Sequence, residues 1–413
     1  MNILTSPEVL RPAKGGVAGL IQKAVFAAMP GAFSVLRRVH PVMKLGPMVL
    51  TSRYDDVKAV FADNRTFGVV YRPKLDVIMG GEQFFLGMAD TPQYREDTAA
   101  MRSVVLPSDL PRLGADVEAR AEAIVAACGG RIDVVDELVR RVTFDFLSAY
   151  FGVPPIPPGQ GNLSVWATRL FEFQFADQGN DPGLRAEVDQ IAPALRAHLD
   201  ATIAARKSMP SKDDVLGRCL KQQRAGDPWF DDVRIRTALM GFIVGGPPQP
   251  PMVVPQAMEQ LLRRPEVLAE AQAAAIANDD ARLWRYVLEA MRFDPLAPGL
   301  PRVALKDCVI AEGTRHATPV KVGTQVLAAF ASAMMDPRRV ADPERFDPDR
   351  PACDYIHFGH DLHTCFGRHI NAATLHLMLK PLLKRKGLRR AAGKDGKLSK
   401  NGPFAERLVV EFG

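Results

Sequence analysis

Ten residues confine this chain more than any others. FGHDLHTCFG, at 358–367, sets two histidines and one cysteine among glycines and phenylalanines. It runs directly into RHINAATLHLMLKPLL, where Ile370, Leu375, Leu377, Met378 and Leu382 supply the apolar positions of a long helix. A cysteine just ahead of a helix N-terminus faces unpaired N–H groups and the positive end of the helix dipole, which favours the thiolate. Gly359 and Gly367 permit tight backbone and the close approach of a flat ligand. The loop suits an anionic sulfur held rigidly against a metal. Two other readings stand beside it: a zinc site drawn from His357, His360, His363, Cys365 and His369, and an inert core cysteine. Structural zinc normally takes paired ligands from two separated segments, and no second His/Cys cluster exists in the sequence. An inert cysteine leaves the glycines unexplained.

The rest of the chain describes the body that carries this loop. At 47% hydrophobic and 24% charged residues, it has material for a sizeable core and reads as soluble and globular. A short strand is expected at Met48–Thr51, followed by a helix opening near Arg53 or Tyr54. Helical patterns then occupy 95–105, 113–127, 133–152, 163–176, 183–206, 231–246, 255–274, 280–292 and 366–385. Strand signals cluster at 302–310, 317–321 and the C-terminal ERLVVEF. There is no internal repeat, and PPIPPGQG at 154–161 is a short rigid connector, not a domain linker. The expected fold class is mainly α with small β-sheets, as one domain over 45–413 preceded by a helical segment over 1–44.

In that first segment Val17, Leu20, Ile21, Ala24, Val25 and Ala28 share one helical face, while Lys23 and Pro30 interrupt it as a membrane span. The face is expected to pack on the body, with weak contact to a membrane surface as the alternative. A signal-peptide layout is lacking. Five cysteines at irregular spacing, with no CxxC, point to a reducing, cytoplasmic setting. A net charge of +6 is mildly basic, but no nucleic-acid motif accompanies it and aromatics are sparse at 7%, which argues against nucleic acid as a partner.

FGHDLHTCFG resembles the haem-binding signature of the cytochrome P450 family, Phe-x-x-Gly-x-His/Arg-x-Cys-x-Gly, through Phe358, His363, Cys365 and Gly367. Asp361 stands where the family usually has glycine; aspartate tolerates left-handed backbone better than most residues. Three further stretches follow in the family's order: EAMRFDP with Glu289 and Arg292, PRVALKDCVI with Arg302, and ADPERFDPDRP with Arg350. The resemblance covers 45–413 and implies a haem, specifically haem b (iron protoporphyrin IX), between a long central helix and the cysteine loop. By resemblance, Cys365 is the iron ligand, Arg302 and His363 hold propionates, and Phe358, Gly359 and Gly367 line the cofactor. Glu289, Arg292 and Arg350 form the family's structural triad. In DTPQYREDTAAMRSVV the family often has His and Arg four apart; here Tyr94 and Thr98 occupy those places, leaving Arg102 or Arg95 as the propionate contact.

The resemblance also places a substrate pocket along Phe84, Phe85, Leu86, Phe171, Phe175, Phe242, Val244, Gly245, Leu296 and Leu300, an apolar and aromatic set that favours a lipophilic small molecule. Arg72 and Lys74 could clamp a carboxylate, but a solvated loop is the favoured reading. The basic stretch 379–400 is where family members dock an acidic electron donor, a ferredoxin or flavodoxin, and no GxGxxG marks a fused reductase.

The departure lies in VGGPPQPPMVVPQAMEQLLRRPE, 244–266. Where the family carries an acid and then an alcohol, this chain has Pro248 and Gln249. Pro247, Pro248, Pro250, Pro251 and Pro255 remove N–H donors, so no regular helix is expected through this stretch. Gln249 donates and accepts hydrogen bonds but does not titrate. Three functions follow: a monooxygenase relaying protons through water; a peroxygenase, isomerase or redox-neutral rearrangement enzyme fed a peroxide; or a non-enzymatic haem sensor.

Overall fold

Caps and prolines set the helix boundaries in this chain. Thr91 accepts a hydrogen bond from the Tyr94 amide at 3.2 Å, and Pro92 occupies the first position of the helix Pro92–Arg102. Asp181 accepts from the Gly183 amide at 2.8 Å ahead of Pro182–Lys207, and Asp231 from the Arg234 amide at 2.8 Å ahead of Asp232–Gly245. The computed structural model describes residues 2–13 and 16–413, which divide into two compact units. One joins the residues up to Arg11 with Tyr71–Met252; the other joins Pro12–Val70 with Val253–Gly413. The expected boundary after residue 44 is not drawn by these contacts and falls inside the second unit.

The first unit is helical. Besides the helices above it contains Leu110–Ala127, Arg141–Phe151, Leu163–Phe171 and two the sequence reading missed, Arg72–Met79 and Val215–Arg224. The helices expected over 133–152 and 163–176 are each part π-helix, at Val134–Arg140 and Glu172–Ala176. Val117, Leu138, Val142, Leu170, Ile191, Leu195 and Leu239 are fully buried in it. The first residues are tied to this unit through Trp166 Nε1, which donates to the Leu4 carbonyl at 3.0 Å, and an Arg11–Asp181 ion pair at 3.1 Å.

The second unit is built on a five-stranded sheet in the order Val42–Leu45, Met48–Thr51, Gln325–Ala328, Leu300–Ala304, Phe67–Gly68. Met48–Thr51 runs parallel to Gln325–Ala328, and the other pairs are antiparallel. Val57, Val60 and Phe61, from the expected helix Tyr54–Ala62, pack with Val326, Ala328 and Ile356 into its core. The strand expected over 302–310 is interrupted, giving Leu300–Ala304 and Cys308–Ile310.

Two expectations need correction. The helix expected over 255–274 breaks at Arg264, whose extended backbone (φ −127°, ψ 87°) is what a following proline imposes, and restarts at Pro265. In the helix Gly16–Val39, Phe33 is buried, but Val17, Leu20, Ile21 and Val25 are 54–72% exposed. The apolar stripe expected to pack on the body faces outward instead.

Candidate functional site

The cysteine loop is closed by its own backbone. The Cys365 amide donates to the Phe358 carbonyl at 2.8 Å, and the Thr364 amide and hydroxyl donate to the Asp361 carbonyl at 3.0 and 2.7 Å. Gly359 has φ +77° and Asp361 φ +60°, so both occupy left-handed backbone, and Asp361 adopts the conformation its chemistry allows. Gly367 caps the helix Arg368–Leu383, and a Cβ added there would stand 4.0 Å from Cys365 Sγ. Cys365 is half-buried. Burial pushes its thiol pKa up, against smaller downward pulls from the Gly367 amide and the Arg368 charge. A cation at the sulfur would favour the thiolate.

The zinc reading fails on geometry. Among the described residues, no group of three or more His, Cys, Asp or Glu side chains lies close enough to hold a metal ion. His357 is turned inward, its Nε2 3.2 Å from the Leu288 carbonyl, and burial draws its pKa down to about 3, so it is neutral. His369 Nε2 accepts from Arg368 Nε at 3.2 Å.

Arg302 is 2% exposed in the strand Leu300–Ala304, its guanidinium 4.9 Å over the Phe61 ring and its Nη1 donating to the Pro301 carbonyl at 3.1 Å. His363 lies half-buried in the turn Asp361–His363. A partly open soft sulfur donor, a buried guanidinium and an imidazole in the same unit fit an iron porphyrin with two carboxylates. Arg102 ends the helix Pro92–Arg102 and is exposed, whereas Arg95 is paired bidentately with Asp90, both bonds at 2.9 Å.

Glu289, Arg292 and Arg350 meet in the interior, at 0%, 1% and 8% exposure. Arg292 donates to Glu289 through Nε at 2.9 Å and Nη2 at 2.8 Å, and Arg350 Nε donates to Glu289 Oε1 at 3.1 Å. The carboxylate also accepts from the Asp347 amide at 2.9 Å and the Tyr355 hydroxyl at 3.0 Å. Sequence reading missed both of these partners, because neither carries a local signal. Burial first, then the Glu289 charge, push the Tyr355 pKa up, so Tyr355 stays a hydrogen-bond donor. Tyr355→Phe should destabilise the protein by about 1.5 kcal/mol, the scale of a hydrogen bond to a charged group. Thermal unfolding of the haem-loaded variant, read by the Soret band, checks this.

In the first unit Phe84, Phe85 and Phe242 form one cluster, with centroids 4.2 to 6.4 Å apart, and Phe242 stacks on Phe151 at 5.5 Å. Gly241 makes this possible, since a Cβ there would fall 2.3 Å from the Phe84 ring. Phe171 and Phe175 pair at 4.9 Å, Leu86 is half-buried and Val244 is buried. In the second unit, Leu296 is half-buried and Leu300 packs against the sheet core. Lys74 is held by Asp177 at 3.1 Å and Arg72 by Asp76 at 3.7 Å, so neither is a free carboxylate clamp.

The break among the prolines is shorter than expected. Asp232–Gly245 ends, four residues turn, and a regular helix resumes at Pro250–Leu262, with Pro250 and Pro251 in its first turn, where an N–H is not needed. The Gly246 amide donates to the Phe242 carbonyl at 2.8 Å, and Gln249 Nε2 donates to the Gly245 carbonyl. Pro248 is buried and Gln249 half-buried.

The cytochrome P450 family profile matches residues 183–403, more than half the chain. The chain is a cytochrome P450. Erythromycin C-12 hydroxylase of Saccharopolyspora erythraea is 27% identical over 343 residues, 81% of this P450 and 81% of that protein. A bifunctional dioxygenase–epoxy alcohol synthase of Pyricularia oryzae is 33% identical over 306 residues, 65% of this P450 but 26% of that protein. Ligand-free cytochrome P450 TbtJ1 superposes with a TM-score of 0.78 at 23% identity, covering 94% of this chain and 98% of that one. This P450 is a haem enzyme, an oxidoreductase of the monooxygenase type.

Proposed function

We propose that this P450 is a cytoplasmic haem b monooxygenase that oxidises a lipophilic organic molecule. The observation that carries the reading is the cysteine loop, which holds half-buried Cys365 in a backbone-locked frame at a helix start. Cys365 supplies the thiolate to iron; Phe358, Gly359 and Gly367 shape the face beside it. Arg302 and His363 hold the propionates, a role for which a guanidinium is suited because it pairs a carboxylate bidentately. Bound this way, haem supplies oxygen-atom transfer to C–H or C=C bonds. The Phe84–Phe85–Phe242 cluster and Phe171 favour an apolar substrate, and a hydroxylase of erythromycin among the relatives agrees. All five cysteines are free, as a reducing cytoplasm keeps them. Electrons come from a ferredoxin or flavodoxin steered by exposed Lys386, Lys394 and Lys397. Much of the basic stretch is unavailable for this: Lys380, Arg390 and Lys400 are taken by Asp280, Glu259 and Asp294 at 2.5 to 2.7 Å.

A second reading has its own support. Gln249 stands where the family's alcohol would be and Pro248 where its acid would be, so these two side chains deliver no proton. The epoxy alcohol synthase relative shares more identity than the hydroxylase. A substrate arriving as an unsaturated hydroperoxide needs neither reductant nor proton delivery: its O–O bond breaks, one oxygen stays as the alcohol, and the other joins the C=C bond as the epoxide, so atoms and electrons balance. The test is a side-by-side assay of haem-loaded enzyme, with a surrogate ferredoxin and reductase in air, or with a fatty-acid hydroperoxide alone. The monooxygenase reading expects reductase-dependent product with tight coupling and background turnover of hydroperoxide. The reverse pattern, with Gln249→Leu slowing hydroperoxide turnover about 10²-fold as loss of one positioned polar group does, establishes the second reading.

A further inference from the structure

The helix Gly16–Val39 has two apolar sides, and the second unit uses only one. Met29, Phe33 and Leu36 pack with Leu50 and Ala329. The last turns are pinned there: Arg37 Nη1 donates to Ser332 Oγ at 3.0 Å, and Arg53 Nε donates to the Arg37 carbonyl at 3.1 Å. On the other side Val17, Leu20, Ile21, Val25, Val35 and Val39 stand 54–72% exposed. At 3.6 residues per turn these six fall within an arc of about 140°, along a helix on the order of 36 Å long. Of the fourteen large apolar side chains exposed among the described residues, seven lie on this helix. The six on the stripe present on the order of 600 Å² of surface, at the upper end of the roughly 300–600 Å² of the largest patch on a typical soluble monomer.

The charges around the stripe select its occupant. Gly16–Val39 contains no aspartate or glutamate, and of its basic residues Arg37 is turned in to Ser332. Arg38 is exposed beside the stripe, and the strand that follows ends in exposed Lys44 and Leu45. A second copy of the chain, pairing about a twofold axis, would bring one cationic helix against another. An anionic lipid surface meets both features at once, taking the apolar stripe among its acyl chains and the cations at its headgroups. The helix is long and apolar enough to cross a membrane. Buried Phe33 and the Arg37–Ser332 hydrogen bond tie its C-terminal half to the second unit instead. We propose that Gly16–Val39 lies in the plane of an anionic membrane surface and seats this P450 on it.

The experiment uses the full chain, haem-loaded, with sedimenting vesicles of phosphatidylcholine alone or mixed with phosphatidylglycerol. Wild type should partition onto the mixed vesicles, less onto pure phosphatidylcholine, and less again at high salt. The double variant Leu20→Glu, Val25→Glu should lower that partitioning by about tenfold or more, with unchanged circular dichroism and haem spectrum. Wild type staying in solution with both vesicles, or the variant binding as wild type does, would overturn the proposal. So would a concentration-dependent dimer in sedimentation velocity that the same variant abolishes, since it assigns the stripe to a second copy.

Discussion

Glu289→Ala should yield aggregated or haem-poor protein. The carboxylate is fully buried and accepts five hydrogen bonds, two from Arg292 and one each from Arg350, the Asp347 amide and Tyr355. Removing it leaves two guanidiniums in the interior without their counter-charge. Their remaining partners are carbonyls, such as Met334 and Arg345 for Arg292 and Asp342 for Arg350, which orient a cation but do not neutralise it. Breaking one side of a buried ion pair typically costs about 3–5 kcal/mol. Whole domains are stable by roughly 5–15 kcal/mol, so this one change consumes much of the margin. Glu289→Gln, which keeps the shape and some acceptor capacity, should be milder. Haem content per chain and the thermal midpoint of the Soret band measure both. A Glu289→Ala protein that purifies with full haem and wild-type unfolding would show that the cluster holds nothing together.

These residues were legible from sequence through the family resemblance, whose motifs they match in order. Glu289 and Arg292 sit one helical turn apart, Arg350 lies in a proline-framed stretch, and Cys365 is bracketed by glycines ahead of a helix. Asp361 was legible too, since aspartate at a glycine position has one easy way to comply, and its φ of +60° is that way. What escaped depends on tertiary structure. Tyr355 gives no sign that its hydroxyl reaches Glu289. Burial pushes the Cys365 thiol pKa up, and burial is not printed in the local sequence. Five prolines predicted a long disruption, yet only four residues leave the helix, because Pro250 and Pro251 fall in a first turn that needs no N–H donors. The outward stripe of Gly16–Val39 was visible as periodicity, but periodicity gives the face without its partner.

The account's central claim is that Cys365 binds haem iron as a thiolate. Burial pushes the pKa of the free thiol up, and a metal cation at the sulfur would favour the thiolate. Cys365→Ser removes a soft, strongly donating ligand and leaves a hydroxyl that ionises far less readily. The loop's own hydrogen bonds, from the Cys365 amide to Phe358 and from Thr364 to Asp361, are untouched, so helical content should persist. The direct measurement is the absorption spectrum of the reduced, carbon-monoxide-bound protein, wild type beside Cys365→Ser. Wild type should show a Soret band far to the red of a histidine-ligated haem, and the variant should lose that band while keeping its circular dichroism. A folded wild-type protein that binds no haem, or whose carbon-monoxide band lies where a histidine-ligated haem puts it, would contradict the account.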